Sequence, residues 1–470
     1  MMRSLVVVIA VAALGTGCMV GPNYKRPAVA VPASFRAPEP LPPAQAESIA
    51  DLKWFEVFKD EKLQDLIRTS LERNYDLRDA VTRVEAARAE LGVQRSFQYP
   101  NVAAGAALDF NRYSRDGATP IPKQLLPSQN RTFGTAALQL LSFEIDIWGR
   151  LRRATEAARA NLLGAEENRK AVVTTLVSDV ATSYFAMREL DYELEISRRT
   201  LQTREQSLEL TRSRQSGGVS TLLDLRQSEQ LVYSAAETIP QIQKQTEQTE
   251  NQISLLLGEN PRPVARGRSL TEQIFPPEVP AGLPSTLLER RPDIRVAEQA
   301  LVAANAEIGV ARAAYFPTVS LSGFLGGAST QLTSLFSGSS SNWSFVPQVT
   351  QPIFTAGRIK SNVRLAQAER DHALIQYERT IQTAFTEVSD ALIAHQRVRE
   401  AREQQEKLVA ALTDRLRLAY LRWRGGVDTQ LNALDADRDL FEAELDLARI
   451  PLQEILSVVQ LYKALGGGWQ

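Results

Sequence analysis

Asp435 and Arg438 lie three residues apart, and Leu431 stands four residues before the acid. On a helix these intervals put all three on one face, where an acid and a base can pair beside an apolar side chain. Solvated helix faces carry the same residue types, so spacing alone gives the trio no role. Little else in the chain could do chemistry. There is one cysteine, Cys18, and there are two histidines, His372 and His395. A single thiol forms no disulfide within the chain. No Cys/His metal-ligand spacing, phosphate-cradling glycine loop or nucleophile elbow occurs. The "GGGW" at 466–469 follows a helical pattern with no strand before it, and the acid pair Glu166-Glu167 lies on a heptad helix. His395 continues an apolar helical seam as a packed residue, and His372 sits on a solvated face. No enzyme, resident metal or cofactor is expected.

Charge excludes another class. The 470 residues carry 54 basic and 55 acidic side chains, a net charge of −1. Nucleic-acid binding needs a basic patch, and this near-zero balance of mixed sign does not suggest one. The N-terminus is a targeting segment. Arg3 precedes an apolar run over residues 5–14, which leads through Gly15-Thr16-Gly17 to Cys18. That run is too short to span a bilayer and has the form of a signal-peptide core. A small-residue stretch ending in cysteine resembles a bacterial lipoprotein cleavage box, although Gly15 stands where leucine is usual and Leu14 lies one step earlier. Removal of residues 1–17 makes Cys18 the acylated first residue, carrying palmitate and related chains. Met19, rather than an aspartate, favours the outer membrane. Seven prolines between residues 22 and 43 forbid regular helix and predict an extended path. No other stretch reaches the ~18 consecutive apolar residues of a membrane helix, so any crossing needs a closed barrel.

The chain is doubled. "RSRQSGGVSTLLDLRQ" at 212–227 and "YLRWRGGVDTQLNALD" at 420–435 align at an offset of 208. "AELGVQRSFQYP" at 89–100 and "AEIGVARAAYFP" at 306–317 align at 217. The expected divisions are residues 18–59 (a lipidated proline-rich segment), 60–257 (first repeat), 258–283 (linker), 284–465 (second repeat) and 466–470 (tail). Each repeat follows one plan: helix, two strands, long helix, tight break, helix.

The strands alternate. "SFEIDIW" sets Phe143, Ile145 and Ile147 against Ser142, Glu144 and Asp146. "TVSLSG" sets Val319 and Leu321 against Thr318, Ser320 and Ser322. "WSFVPQVTQPIF" sets Trp343, Phe345, Val349 and Ile353 against Gln348 and Thr350. A lipid-facing, water-lined strand needs this pattern, and so does any half-buried sheet. Trp148, Trp343, Phe354 and Tyr315-Phe316 fall near strand ends, as interfacial aromatics or as core. From 358 to 423 there is neither proline nor glycine, and Leu374, Tyr377, Ile381, Ala384, Val388 and Ala391 form a coiled-coil seam. Such helices run about 100 Å. Each ends at a Gly-Gly whose left-handed cap turns the chain back, so each repeat closes with a helical hairpin. Four strands cannot close a barrel, so membrane strands here would need several copies of the chain.

The motifs "GPNYKRP", "FEIDIWGRLRRA", "GLPSTLLERRPDIRVAEQALVAANAEIGVARAAYFPTVSL", "PIFTAGRI", "YLRWRGGVDTQLNALDA" and "LYKALGGGWQ" resemble the TolC/OprM-type outer-membrane efflux factors, in their NodT-like lipoprotein branch. The resemblance covers nearly all of the chain from Cys18 to its end. It implies an α+β membrane protein: a trimeric twelve-stranded β-barrel, four strands per chain, continued by a helical periplasmic tunnel. It implies a passive exit duct for drugs and other small compounds, hence a part in antibiotic resistance. The implied partners are two further copies, a periplasmic adaptor protein, an inner-membrane transporter of the resistance-nodulation-division type and outer-membrane lipid. It makes Leu431 an apolar constriction, Asp435 an acidic ring and Arg438 a tie between neighbouring hairpins, with Asp224 as its partner. Asn432 stands where some members carry a second acid. The tips Gly217, Gly218, Val219 and Ser220, with Gly425, Gly426, Val427 and Asp428, become the adaptor-docking segments. The alternatives are a periplasmic coiled-coil rod or adaptor lipoprotein, and a duct for metal ions.

Overall fold

The computed structural model describes residues 19–38, 48–114, 129–273 and 281–469. The leader and Cys18 lie outside the described residues. The long helices, their returning partners and the first strand of each repeat match in length. Helices α2 (Tyr75–Ser96) and α5 (Pro292–Ala313) have 22 residues each, and strands β1 (Asn101–Arg112) and β3 (Thr318–Ser329) have 12 each. Strand β2 is Asn130–Ile145 and β4 is Ser341–Thr350. The long helices α3 (Arg150–Ser216) and α6 (Arg358–Arg424) have 67 residues each. Their returning partners α4 (Leu222–Leu256) and α7 (Gln430–Ala464) have 35 each. Helix α1 is Glu61–Arg73. No described helix is long and apolar enough to cross a membrane.

The chain forms two compact units, each drawing on both repeats. The first comprises Met1–Pro27, Val84–Ala165 and Ala297–Tyr377. It holds one antiparallel sheet in the order β1-β2-β3-β4, so β2 and β3 join the repeats. Paired residues share a face. The registers put Val102, Leu108, Leu138, Leu140, Val319, Leu321, Leu325, Trp343, Phe345 and Val349 on one face. Asp109, Arg131, Gln139, Ser320, Ser322, Asn342, Gln348 and Thr350 lie on the other, with Phe133, Phe324 and Val346 among them. The parity of β2 changes midway: Leu140 pairs with Gly323 but Phe143 pairs with Leu321. The extra residue is a bulge, and it keeps Phe143 and Ile145 on the apolar face. β2 ends at Ile145 and β4 at Thr350, earlier than the sequence pattern extends, and Ile353 is 97% exposed beyond the strand. Among the described residues neither β1 nor β4 has a partner on its outer edge.

The strand-to-helix corner also belongs to this unit. Gly149 has φ 77°, and the Asp146 carboxylate accepts from the N–H groups of Leu151 (3.1 Å) and Arg152 (2.9 Å), capping α3. Trp148 stacks on Phe316 at 4.6 Å and donates to the Pro317 carbonyl, so it packs internally, whereas Trp343 and Phe354 stay exposed. The N-terminal segment is pinned here. The buried Arg153 guanidinium donates to the carbonyls of Val20 and Gly21 and to Asn23 Oδ1 (2.7 Å). A Cβ on Gly309 would lie 2.8 Å from the Val20 carbonyl oxygen, so only glycine lets the segment lie this close.

The second unit comprises Ala28–Arg83, Glu166–Val296 and Glu378–Gln470. Its core gathers Phe58, Tyr184, Phe185 and Tyr462, with Leu63, Ile67 and Ile253 fully buried around them. The seam residues Ile381, Ala384, Val388 and Ala391 are buried. His395 meets Ser457 Oγ at 2.9 Å, and burial lowers its pKa. His372 is exposed. Asp60 organises the polar part of the core. It caps α1 and accepts from Tyr184 Oη (2.9 Å), the Arg268 N–H (2.9 Å) and the Gln273 amide (3.0 Å).

Burial opposes the Asp60 charge, but these donors outweigh it and hold the carboxyl below its ordinary value. Its stabilisation is therefore complete above the unfolded value of about 3.9 and is lost as pH falls through the lower folded one. Asp60→Ala takes the acceptor from the buried Tyr184 hydroxyl and from the part-buried Arg268 N–H and Gln273 amide, and is expected to cost about 3 kcal/mol at pH 7. Thermal melts in detergent should show that loss shrinking below pH about 4.

The hairpin tips as candidate functional site

Both hairpins turn by the same device. Gly218 (φ 75°) and Gly426 (φ 73°) take the left-handed conformation, and the N–H groups of Val219 and Val427 return to the carbonyls of Arg214 (2.8 Å) and Arg422 (3.0 Å). The loops then differ. Thr221 and Asp224 form a capping box on α4: Asp224 accepts from the Thr221 N–H (2.7 Å), and Thr221 Oγ1 accepts from the Asp224 N–H. In the second tip Asp428 takes that work, accepting from Arg422 (3.0 Å), the Thr429 N–H (2.8 Å) and Asn432 (2.6 Å). The Arg422 contact leads in holding the Asp428 carboxyl below its usual range.

Leu431, Asp435 and Arg438 share one exposed face of α7. Leu431 is 46% exposed. Arg438 lies 3.3 Å from Asp435 and donates to Asp439 at 3.0 Å, while Asp439 accepts from Arg415 at 2.6 Å. Within the chain Asp224 is not brought to Arg438; its carboxylate is engaged by Thr221. Val219, Val427, Leu222 and Leu223 are exposed around the tips.

The opposite face of α7 holds what sequence reasoning missed. Asp437 receives Arg204 Nε at 2.6 Å, and the two side chains are only 10% and 4% exposed. Arg204 also donates to the Leu231 carbonyl (3.0 Å) and lies 4.8 Å from the Phe441 ring. Gln430, at the first turn of α7, donates to Thr211 and Ser228 at 2.9 Å each. Farther from the tip Arg199 meets Glu444 (3.1 Å) and Arg449 meets Glu193 (2.6 Å). Asp437 follows Asp435 by two residues, about 200° around the helix. No local spacing connects it to an arginine on another hairpin, so no sequence signal marks the pair. Glu189 is buried one turn from Glu193. Desolvation first, and then the Glu193 charge, push its pKa up to about 8 against the pull of Arg449.

A sheet with one apolar and one polar face, two unpaired edges and two long helical hairpins defines a subunit of an outer-membrane channel. Residues 66–259 and 283–467 match the family described as outer membrane efflux protein. The chain belongs to that family, and it is an outer-membrane efflux channel protein. It is 38% identical to the probable efflux pump outer membrane protein TtgC of Pseudomonas putida, over 100% of this chain and 96% of that protein. It is 36% identical to the cation efflux system protein CusC of Escherichia coli, over 97% and 96%. The open state of the Neisseria gonorrhoeae MtrE outer membrane channel superposes with a TM-score of 0.86 at 34% identity, covering 96% of this chain and 99% of that one.

Two outcomes are expected. Arg204→Leu strands a buried carboxylate and should destabilise the protein by about 3–5 kcal/mol, whereas Arg204→Leu with Asp437→Leu should recover most of it; denaturant titration in detergent measures both. The folded protein keeps a proton on Glu189 that the unfolded chain releases above about pH 4.3. Stability should therefore fall as pH rises from there to about 8 and then level. Glu189→Gln should flatten that decline in melts taken across the window.

Proposed function

We propose that the chain is the outer-membrane exit duct of a tripartite efflux system, closable at its periplasmic hairpin tips. The two-faced sheet carries this reading. Its apolar face suits lipid, its polar face suits a water-filled lumen, and its free edges call for further copies. Three chains give the trimer, with repeats 60–257 and 284–465 each supplying two strands and a hairpin. The duct conducts passively and does no catalysis. An inner-membrane transporter of the resistance-nodulation-division type loads it through a periplasmic adaptor. The adaptor docks on Gly217, Gly218, Val219 and Ser220 and on Gly425, Gly426, Val427 and Asp428, where small residues admit another helix tip.

Leu431 forms the constriction. Asp435 forms an acidic ring that repels itself and draws cations. Arg438 ties neighbouring hairpins, with Asp224 of the next chain as a partner. Each exposed link is weak, so several together bias the closed state without locking it. Cys18 carries the lipid anchor, and the pinning of Val20 and Gly21 by Arg153 supports an N-terminus tied to the body beside the strand ends. Small organic compounds are the leading cargo. A duct for metal ions is the second reading, favoured by the likeness to a cation efflux protein.

Single-channel conductance of detergent-extracted protein in planar bilayers tests the proposal. Wild type should conduct weakly, and Asp435→Ala and Arg438→Ala should each raise conductance several-fold. A large conductance unchanged by either substitution removes these residues as the gate. Well-folded protein that never conducts removes the duct.

A further inference from the structure

At the end of the sheet away from the helices, the apolar face is built of small side chains. The register sets Ala106, Ala136 and Gly327 in one row, with Ala104 and Leu325 in the next row toward the helices. The β3–β4 connection, residues 330–340, folds back onto this face. A Cβ on Gly134 would lie 2.9 Å from Leu332 Cδ2, and one on Gly327 would collide with the Leu335 carbonyl. Leu335 is buried, while Phe336 is 86% exposed. Between the loop and the small residues lies an open recess of about 540 Å³, lined largely by Ala104, Ala106, Ala136, Leu325, Leu335 and Phe336. No described lining residue is charged. Residues 330–340 contain no charged side chain either. The loop meets much of its own hydrogen-bonding need. The N–H groups of Ser334, Leu335, Ser337 and Ser340 each donate to the carbonyl three residues back. Ser329 Oγ accepts from the Gln331 N–H (3.1 Å) and pairs with Ser334 Oγ (2.8 Å), and Ser337 Oγ donates to the Ser334 carbonyl (2.7 Å).

We infer that this recess holds one acyl chain of an outer-leaflet glycolipid, with the β3–β4 loop lying in the leaflet as its outer wall. The inference rests on the lipid-facing reading of the apolar face. The recess is continuous with that face, so what it meets is hydrocarbon. Its place at the end away from the helices makes the lipid that of the outer leaflet, an acylated glycolipid in bacterial outer membranes. Irregular backbone beside lipid must have its polar groups met from within, and this loop is built that way. In a bilayer every chain is already among hydrocarbon, so retention comes from packing. The alanine floor lets a chain approach the sheet closely, and Leu335 and Phe336 contact it from a second side. The exposed polar side chains of the loop, Gln331, Thr333 and Ser339, are uncharged and suit a sugar headgroup.

Native mass spectrometry of the full-length trimer tests it, after lipid is washed off in detergent and purified lipopolysaccharide is added. Wild type should keep one glycolipid per chain. Ala104→Phe fills the floor and Phe336→Ser removes the wall, and each should lower retention several-fold. Val349→Phe enlarges a side chain on the same face outside the recess and should leave retention unchanged. The trimer mass reports folding in each case, and if Ala104→Phe does not assemble, Phe336→Ser decides. Wild type that keeps no glycolipid, undiminished retention in the recess variants, or an equal loss in Val349→Phe overturns the inference. Trp343 separates it from the reading beneath it. That side chain pairs across from Leu325 on the apolar face and is exposed. In nanodiscs of brominated phosphatidylcholine, the emission that Trp343→Phe removes should be quenched. Without quenching the lipid-facing reading falls and takes the inference with it; quenching without retained glycolipid ends the inference alone.

Discussion

Unpaired backbone at a strand edge is intolerable in hydrocarbon, and four strands cannot curl far enough to pair their own edges. The rest of the molecule follows from that constraint. Among the described residues β1 and β4 each leave an edge open. A sheet with both edges open, one apolar face and one polar face is complete only among copies of itself. The same copies then bring the helical hairpins together, so helix faces exposed in one chain become surfaces between chains.

Duplication supplies the pieces for such a ring, and the two halves depart from one another at particular positions. The paired helices match residue for residue in length. Yet Asp435 and Arg438 have Gln227 and Gln230 as their counterparts in the first repeat. At these two positions only the second of the two returning helices carries charge. The two tips likewise settle their caps differently, by a Thr221–Asp224 box in one and by Asp428 in the other. Two pseudo-equivalent hairpins thus differ in side-chain chemistry while keeping one backbone plan.

The polar interior is built with the same economy. Asp60 satisfies a helix N-terminus, a tyrosine hydroxyl, a backbone amide and a side-chain amide at once. Arg153 does the equivalent for the N-terminal segment. Each is a charged group whose burial is tolerated because its hydrogen-bonding capacity is used.

Local pattern determined a good deal on its own. Glycine pairs set the hairpin breaks, because only a residue without Cβ turns left-handed at no steric cost. The 3/4 spacing that made Ile381, Ala384 and Val388 a seam is the spacing that buries them. Alternation placed Val319, Leu321, Trp343 and Phe345 on one face, as the registers have it. The helical interval that grouped Leu431, Asp435 and Arg438 also follows from sequence alone. Tertiary structure decided what depends on register and on partners far away in the chain. The bulge between Leu140 and Phe143 switches the parity of β2, which no alternation rule can locate. Trp148 packs on Phe316 while Trp343 stays exposed, although both sit near strand ends. Arg204 and Asp437 stand 233 positions apart. They meet only because two hairpins lie side by side, and that burial, invisible in local spacing, makes the loss of either partner costly.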